Sequence, residues 1–249
     1  WSTNGTMSGT GTTVIASGGS LTLNTSTVGN LNLNRALQND GSVTWTSAGG
    51  QGMWMNGGTL TNNGTFLAST TSGTFNWYGN GGVNTIINNG TFTKSSPGTL
   101  GFNNNGANIG FNNNGTLNVT GGTLELNGGG SNAGTMAISA GATLLLGSTI
   151  SHPAGSQITG SGTLSFRYGP HSVYGTIAMA GTVNIGTDSN VTVNLEAAQN
   201  FSGTLNVIGV LGGGADVTVS GAATWNTGST MKLEGAGRGW HWPNRPGFT

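Results

Sequence analysis

The sequence predicts an all-β protein, a single-domain parallel β-helix or β-solenoid of about nine or ten coils with about 22 residues in each. Three observations predict this fold. A glycine followed by Thr or Ser and an apolar residue recurs along the chain, short alternating segments follow it, and no apolar stripe has the 3.6-residue period of a helix. We expect residues 1–235 to form the solenoid and residues 236–249 to form a tail outside the repeat.

The recurring glycine marks a corner in each repeat. Asn63-Gly64 is one example of an Asn-Gly pair at this place. Because glycine reaches positive φ without steric cost and Asn tolerates it, such a pair predicts a tight turn. Stacked Asn side chains are expected to bond from coil to coil as a ladder. The corner glycines are Gly19, Gly41, Gly64, Gly90, Gly115, Gly134, Gly162, Gly181, Gly203 and Gly221.

The segments after these glycines alternate apolar and polar residues, which is typical of strands with one buried face. Thr and Ser are expected to face outward. Trp45 and Trp77 alternate with polar neighbours and are interpreted as core, whereas Trp54 and Tyr78 fit either the core or an exposed surface for glycan stacking. The residues expected to point inward are Leu117, Leu124, Leu126, Leu144, Leu146, Val183, Ile185 and Leu205.

The composition excludes several classes of function. Gly, Thr, Asn and Ser make up 141 of the 249 residues, and the chain has only six Lys and Arg and six Asp and Glu. Six scattered cations cannot neutralise a nucleic-acid backbone or bind an anionic membrane. No apolar run approaches the length of a membrane span, so we expect no nucleic-acid partner and no membrane insertion. The seven Trp and eight Phe argue against disorder.

The chemistry-bearing residues do not converge on a catalytic or metal site in the sequence. A glycosidase needs two carboxylates beside the scissile bond. Only Asp188 and Glu196 share a repeat, and their separation of eight residues favours different faces. The chain has no Cys, and its three histidines lack ligand-like spacing. We therefore predict no enzyme activity, no metal and no cofactor, and we interpret the acids as surface charges.

One polar and aromatic cluster is a candidate ligand loop. Arg167, Tyr168, His171 and Tyr174 lie between the corner glycines Gly162 and Gly181 and are predicted to bulge from the rod. Loops on a rigid scaffold often carry function. The alternative is a loop whose Tyr rings cover the core and whose Arg is solvated.

The tail concentrates aromatic and basic residues outside the repeat. Its prolines are incompatible with a central strand. Because large aromatic residues and Arg dominate interface energetics, Arg238, Trp240, Trp242 and Arg245 are candidate subunit-contact residues. The alternatives are a cap folded over the last coil and the start of a linker.

The repeats resemble those of a known group of proteins. Asn89-Gly90-Thr91-Phe92, Asn114-Gly115-Thr116-Leu117-Asn118-Val119 and Gly121-Gly122-Thr123-Leu124-Glu125-Leu126 are similar to the β-helical regions of bacterial secreted surface proteins. These regions are the passengers of autotransporters and of hemagglutinin-like adhesins. The resemblance covers most of the chain from Gly18 to Gly235, and it implies an extracellular or cell-surface rod.

The function predicted from these observations is structural. A β-helix ends in strands with unpaired backbone groups, and the first twenty residues contain no charged side chain. We expect such rods to join head to tail with further copies of the chain into a fibre or surface layer. The alternative is a carbohydrate-binding adhesin or a polysaccharide-degrading β-helix, with glycans as partners.

Overall fold

A computed structural model describes residues 1–2, 4–25, 29–47, 52–69, 75–104, 107–187, 191–226 and 230–231. Every regular element in these residues is a β-strand. The strands are β1 (Thr6–Met7), β2 (Thr12–Ile15), β3 (Ser20–Thr25), β4 (Leu31–Leu33), β5 (Ala36–Asn39), β6 (Ser42–Ser47), β7 (Met53–Met55), β8 (Thr59–Asn62), β9 (Thr65–Ala68), β10 (Phe75–Gly79), β11 (Asn84–Asn88), β12 (Thr91–Lys94), β13 (Thr99–Asn104), β14 (Ile109–Asn113), β15 (Thr116–Val119), β16 (Thr123–Leu126), β17 (Gly130–Asn132), β18 (Thr135–Ile138), β19 (Thr143–Leu146), β20 (Ile150–Ser151), β21 (Gln157–Gly160), β22 (Thr163–Phe166), β23 (Gly169–Val173), β24 (Thr176–Met179), β25 (Thr182–Ile185), β26 (Val191–Leu195), β27 (Gln199–Phe201), β28 (Thr204–Val207), β29 (Val210–Gly212), β30 (Val217–Val219), β31 (Ala222–Trp225) and β32 (Thr230–Met231).

The strands stack as the three faces of a parallel solenoid, because strands pair with those three places before and after them, except between β20 and β23 and between β24 and β27. Face 1 is one unbroken sheet of eleven strands, from β1 through β4 and β7 to β31. Face 2 runs from β2 to β20 and continues from β23 to β32. Face 3 runs from β3 to β24 and continues with β27 and β30. The predicted parallel β-helix with coils of about 22 residues is confirmed.

The interior is a continuous apolar column. All eight residues predicted to point inward are at most 1% exposed, and Trp45 and Trp77 are fully buried. Trp77 packs between Trp45 and Phe102, with ring centroids 5.4 and 5.1 Å away. Trp54 and Tyr78 instead stand half-buried on the outer side of face 1, with ring centroids 5.0 Å apart.

The corner glycines are required for close approach between coils. A Cβ on Gly90 would lie 2.1 Å from the carbonyl oxygen of Gly64, and one on Gly115 would lie 2.2 Å from that of Gly90. Each of these carbonyls accepts a hydrogen bond from the Thr after the next glycine, as in Thr91 N to Gly64 O at 2.9 Å. None of the three glycines has positive φ. The prediction that these corners turn through positive φ is therefore wrong, and the reason for glycine is steric.

The glycine motif also changes corners along the rod. Up to Gly134 it precedes the strands of face 3, whereas from Gly162 onward it precedes the strands of face 1. The 28-residue step between Gly134 and Gly162 therefore spans one coil and part of the next. The same motif stands at two different corners, which the sequence alone does not distinguish. The long spacing is the step from one corner to the other, and it does not mark a bulge.

A ladder of buried asparagines lines the inside of the corner between faces 2 and 3. The Nδ2 of each of the first four donates to the Oδ1 of the Asn in the next coil at 2.6–2.8 Å. The first four amides also donate to the carbonyl of the Thr that opens a face 3 strand of the next coil. We call this the inner ladder, and it confirms the predicted Asn stacking. Its members are Asn39, Asn62, Asn88, Asn113 and Asn132.

A second column, the outer ladder, stands exposed beside the first. Asn114 donates to Asn89, Asn89 to Asn63, and Asn63 to the carboxylate of Asp40, at 2.7–2.9 Å. Gln38 also donates to Asp40, at 2.8 Å. These two amide donors, Asn63 first, lower the pKa of Asp40.

The break in face 3 between β24 and β27 is bridged by a side chain. The buried Gln199 accepts a hydrogen bond from Ile177 N at 2.8 Å and donates to Gly175 O at 2.9 Å. Its amide thus takes the place of a backbone amide in the ladder between coils.

We expect Gln199→Ala to lower the free energy of unfolding by about 2–3 kcal/mol, because a buried N–H and a buried C=O lose their partners. Urea denaturation followed by circular dichroism measures this loss. Gln157→Ala is the matched control, since Gln157 is exposed on the same face. Equal losses in the two variants would contradict the bridging role.

Candidate functional site

The candidate site is the edge of the first coil, formed by β1, β2 and β3. In the described chain β1 and β2 each pair with one neighbour, β4 and β5. β3 pairs with β6 and on its other edge meets the first two residues, through a bridge from Ser2 to Asn24 and a hydrogen bond from Asn24 N to Trp1 O at 2.9 Å. In the described chain, the other edges of β1 and β2 have no strand beside them. Such an edge is a template for pairing with another chain.

The apolar side chains of this coil are only partly covered. Trp1, Met7, Ile15 and Leu21 are partly buried and pack against the core cluster. Their partners in the second coil are fully buried. Met7 pairs with Leu33 and Leu21 with Val43, and both partners are at most 1% exposed. In the described chain, the apolar side chains of the first coil are therefore less covered than those of the second.

The first coil is also free of charged side chains, which would oppose stacking. The first charged side chain along the sequence is that of Arg35, in the second coil. Its guanidinium donates to Gly11 O at 2.9 Å and to Ser8 O at 3.2 Å. Arg35 of the second coil thus binds the turn between β1 and β2 and stabilises its position on the stack.

The prediction that residues 167–174 bulge from the rod as a loop is wrong. Gly169–Val173 is β23, which pairs along its whole length with β26. His171 points into the core and is fully buried, whereas Tyr168 and Tyr174 are 42% and 55% exposed. The Arg167 guanidinium lies 5.1 Å from the centre of the Tyr168 ring. Only Arg167 and the two Tyr remain on the surface as candidates for a ligand.

A lysine that was not predicted to be functional is buried in the core. Lys94 ends β12 with its side chain turned inward and fully buried. Its Nζ donates to the carbonyl oxygens of Ser96, Gly98 and Gly121, the last at 2.7 Å. Burial lowers the pKa of Lys94 to about 8. The signal was present in the alternation, because Lys94 occupies the same parity as the core residue Phe92.

Besides Asp40, two described carboxylates accept hydrogen bonds. Glu125 accepts from Asn127 at 3.3 Å, and Glu196 accepts from Gly214 N at 3.4 Å. Asp188 lies outside the described residues, and so do the tail candidates Arg238, Trp240, Trp242 and Arg245. In the part of the chain that the structure describes, no three His, Asp or Glu side chains group as metal ligands. The same residues contain no helix of the length and hydropathy that a membrane span requires.

Comparison with known proteins gives no relative. No protein-family model matches the chain, and searches of the curated proteins and of the solved structures found no match. The function has to be argued from the geometry of the rod.

Proposed function

We propose that the protein is an extracellular structural protein whose β-solenoid rods join head to tail, copy on copy, into a fibre or surface layer. The observation that carries the proposal is the edge of the first coil, where β1 and β2 are paired on one side in the described chain and the apolar side chains are only partly buried. A second copy can supply both the missing backbone partners and the apolar cover.

The occupant is a second copy because the described coils repeat one arrangement of stacked parallel strands with inward apolar residues. Strands of a second molecule can continue this stack in the same pattern. Such a head-to-tail contact need not close and propagates into a filament. The extracellular location belongs to the same proposal and is supported by the resemblance of the repeats.

Leu21→Lys is the variant that tests this contact, since it places a charge in the partly open column of the first coil. We expect the intact chain to form filaments in electron micrographs and large particles by light scattering, and we expect Leu21→Lys to remain monomeric with unchanged circular dichroism. Leu67→Lys is the matched control, because Leu67 lies on the outer surface of face 3 in the third coil and is 36% exposed. Monomers from the intact chain at high concentration would refute the fibre.

Deleting residues 237–249 tests the tail separately. Filaments from both the intact and the shortened chain would leave the stacking in place and remove only the role of Trp240 and Trp242 as anchors. Loss of filaments on deletion would assign the tail to the contact between copies.

A further inference from the structure

Face 2 is interrupted between β20 and β23, near the middle of the rod. The pairing there is reduced to a single bridge between His152 and Val173, with Tyr174 N donating to His152 O at 2.8 Å. On its other side β23 pairs with β26 over five residues. Pro153 follows the bridge and Pro170 lies within β23, and neither residue has an N–H to donate.

Two histidines fill the core at this interruption. His152 and His171 are at most 1% exposed, and their ring centroids lie 6.5 Å apart. Phe166 packs edge-on against His171, with a centroid distance of 4.9 Å. The Nε2 of His171 donates to Tyr168 O at 3.0 Å. Neither ring nitrogen of His152 has a hydrogen-bond partner in the described protein.

Both rings are held neutral. Burial, and to a smaller extent repulsion from a charged His171, lower the pKa of His152 to about 4. Burial also lowers the pKa of His171, while the backbone carbonyls of Tyr168 and Ile150 act in the opposite direction. His171 is the only titratable side chain among the causes of the shift in His152.

The other charged or titratable groups on the elements that pack here stand toward solvent. Arg167, directly after β22, is half-buried, and Tyr168 and Tyr174 on either side of β23 are exposed. Glu196, directly after β26, is exposed as well. These groups face outward on the described strands, and the two rings face each other in the core.

We propose that His152 and His171 form an acid-sensitive seam, at which protonation separates β20 from β23 while faces 1 and 3 keep the two parts of the rod joined. Both of those faces are continuous across the seam, since β19 pairs with β22 over four residues and β21 pairs with β24 over four. Loss of the face 2 bridge therefore opens the rod on one side and leaves it in one piece.

The direction of the pH dependence follows from proton linkage. In the open seam the rings are solvated and titrate near the ordinary pKa of about 6.5, whereas in the closed seam the pKa is lowered. The closed state is fully favoured above pH 6.5 and loses stability as the pH falls from there toward 4. If the pKa of His152 is about 6.5 in the open seam and about 4 in the closed seam, the equilibrium constant for opening is roughly 70-fold larger at pH 4.5 than at pH 7.5.

Hydrogen exchange of the full chain, read by mass spectrometry and corrected for the intrinsic pH dependence, tests the seam. We expect the backbone amides of residues 150–152 and 169–174 to exchange roughly 70-fold faster at pH 4.5 than at pH 7.5. Residues 157–166, on faces 3 and 1, and residues 116–138 should be unchanged. The double variant His152→Leu/His171→Leu should lose this acceleration, and His241→Gln, which removes the third histidine of the chain, should retain it.

Acceleration spread evenly over all coils, or retained in the double Leu variant, would overturn the proposal. If the double variant fails to fold, proton NMR titration of the His ring signals in the unmodified chain tests the proposal instead. Midpoints well below 6.5 for two of the three histidines support the seam, and three midpoints near 6.5 exclude it.

Discussion

Gly90→Ala is expected to lower the free energy of unfolding by at least about 3 kcal/mol, or to prevent folding, because the new Cβ would lie 2.1 Å from Gly64 O. The obstructing atom is backbone, so no side-chain rotation relieves the overlap. Two coils would have to separate at the corner, and the hydrogen bond from Thr91 N to Gly64 O would lengthen. Urea denaturation monitored by tryptophan fluorescence measures the loss.

Gly110→Ala is the matched control for this effect. A Cβ on Gly110 meets only Asn84 O at 3.9 Å, which is an ordinary contact distance, and its φ is not positive. We expect a change within about 0.5 kcal/mol. A similar loss in both variants would show that general glycine replacement, and not the close approach of stacked corners, sets the cost.

Asn88→Ala is expected to cost about 3–4 kcal/mol of unfolding free energy, the second large effect. Asn88 lies at the centre of the inner ladder, where it accepts from Asn62 and donates to Asn113. Its removal leaves the Asn113 Oδ1 without that donor and opens a small cavity in a corner that excludes water. Chemical denaturation of the variant, compared with the parent, measures the loss.

Asn89→Ala is the control for the ladder, because Asn89 is the adjacent residue and belongs to the exposed outer ladder. Water can replace the hydrogen bonds of an exposed amide, so we expect a loss of at most about 0.5 kcal/mol. A larger loss for Asn89→Ala than for Asn88→Ala would contradict the assignment of the inner ladder as the stabilising one.

The fold could be predicted from the sequence because the period of the repeat and the alternation within it are both local signals. Leu117 and Leu124 point inward because each is the second residue of its strand, after an outward Thr. Thr and Ser of successive coils keep the same register, as between Thr91 and Thr116. The repeat did not show at which corner each glycine lies. The same motif precedes strands of face 3 in one part of the rod and strands of face 1 in the other.

The buried polar residues could not be assigned from the sequence, although their parity was visible. Lys94 and His171 occupy inward positions of their strands, where a charged or titratable residue is unexpected. Composition rules favour the surface for both, and only the carbonyl groups that surround Lys94 explain its burial. Gln199 is a similar case. Its side chain bridges β24 and β27, and the sequence does not show that these two strands fail to pair.

The two asparagine ladders have opposite polarity, and this affects the ends of the rod. The inner ladder donates toward the later coils, as Asn62 does to Asn88, whereas the outer ladder donates toward the earlier ones, as Asn89 does to Asn63. The two columns of amide dipoles oppose each other, with four Asn–Asn bonds in the inner ladder and two in the outer. They therefore partly cancel, unlike the aligned peptides of an α-helix, which leave partial charges at its termini. For molecules lined up along one axis, the opposed ladders weaken any electrostatic preference for one direction of growth.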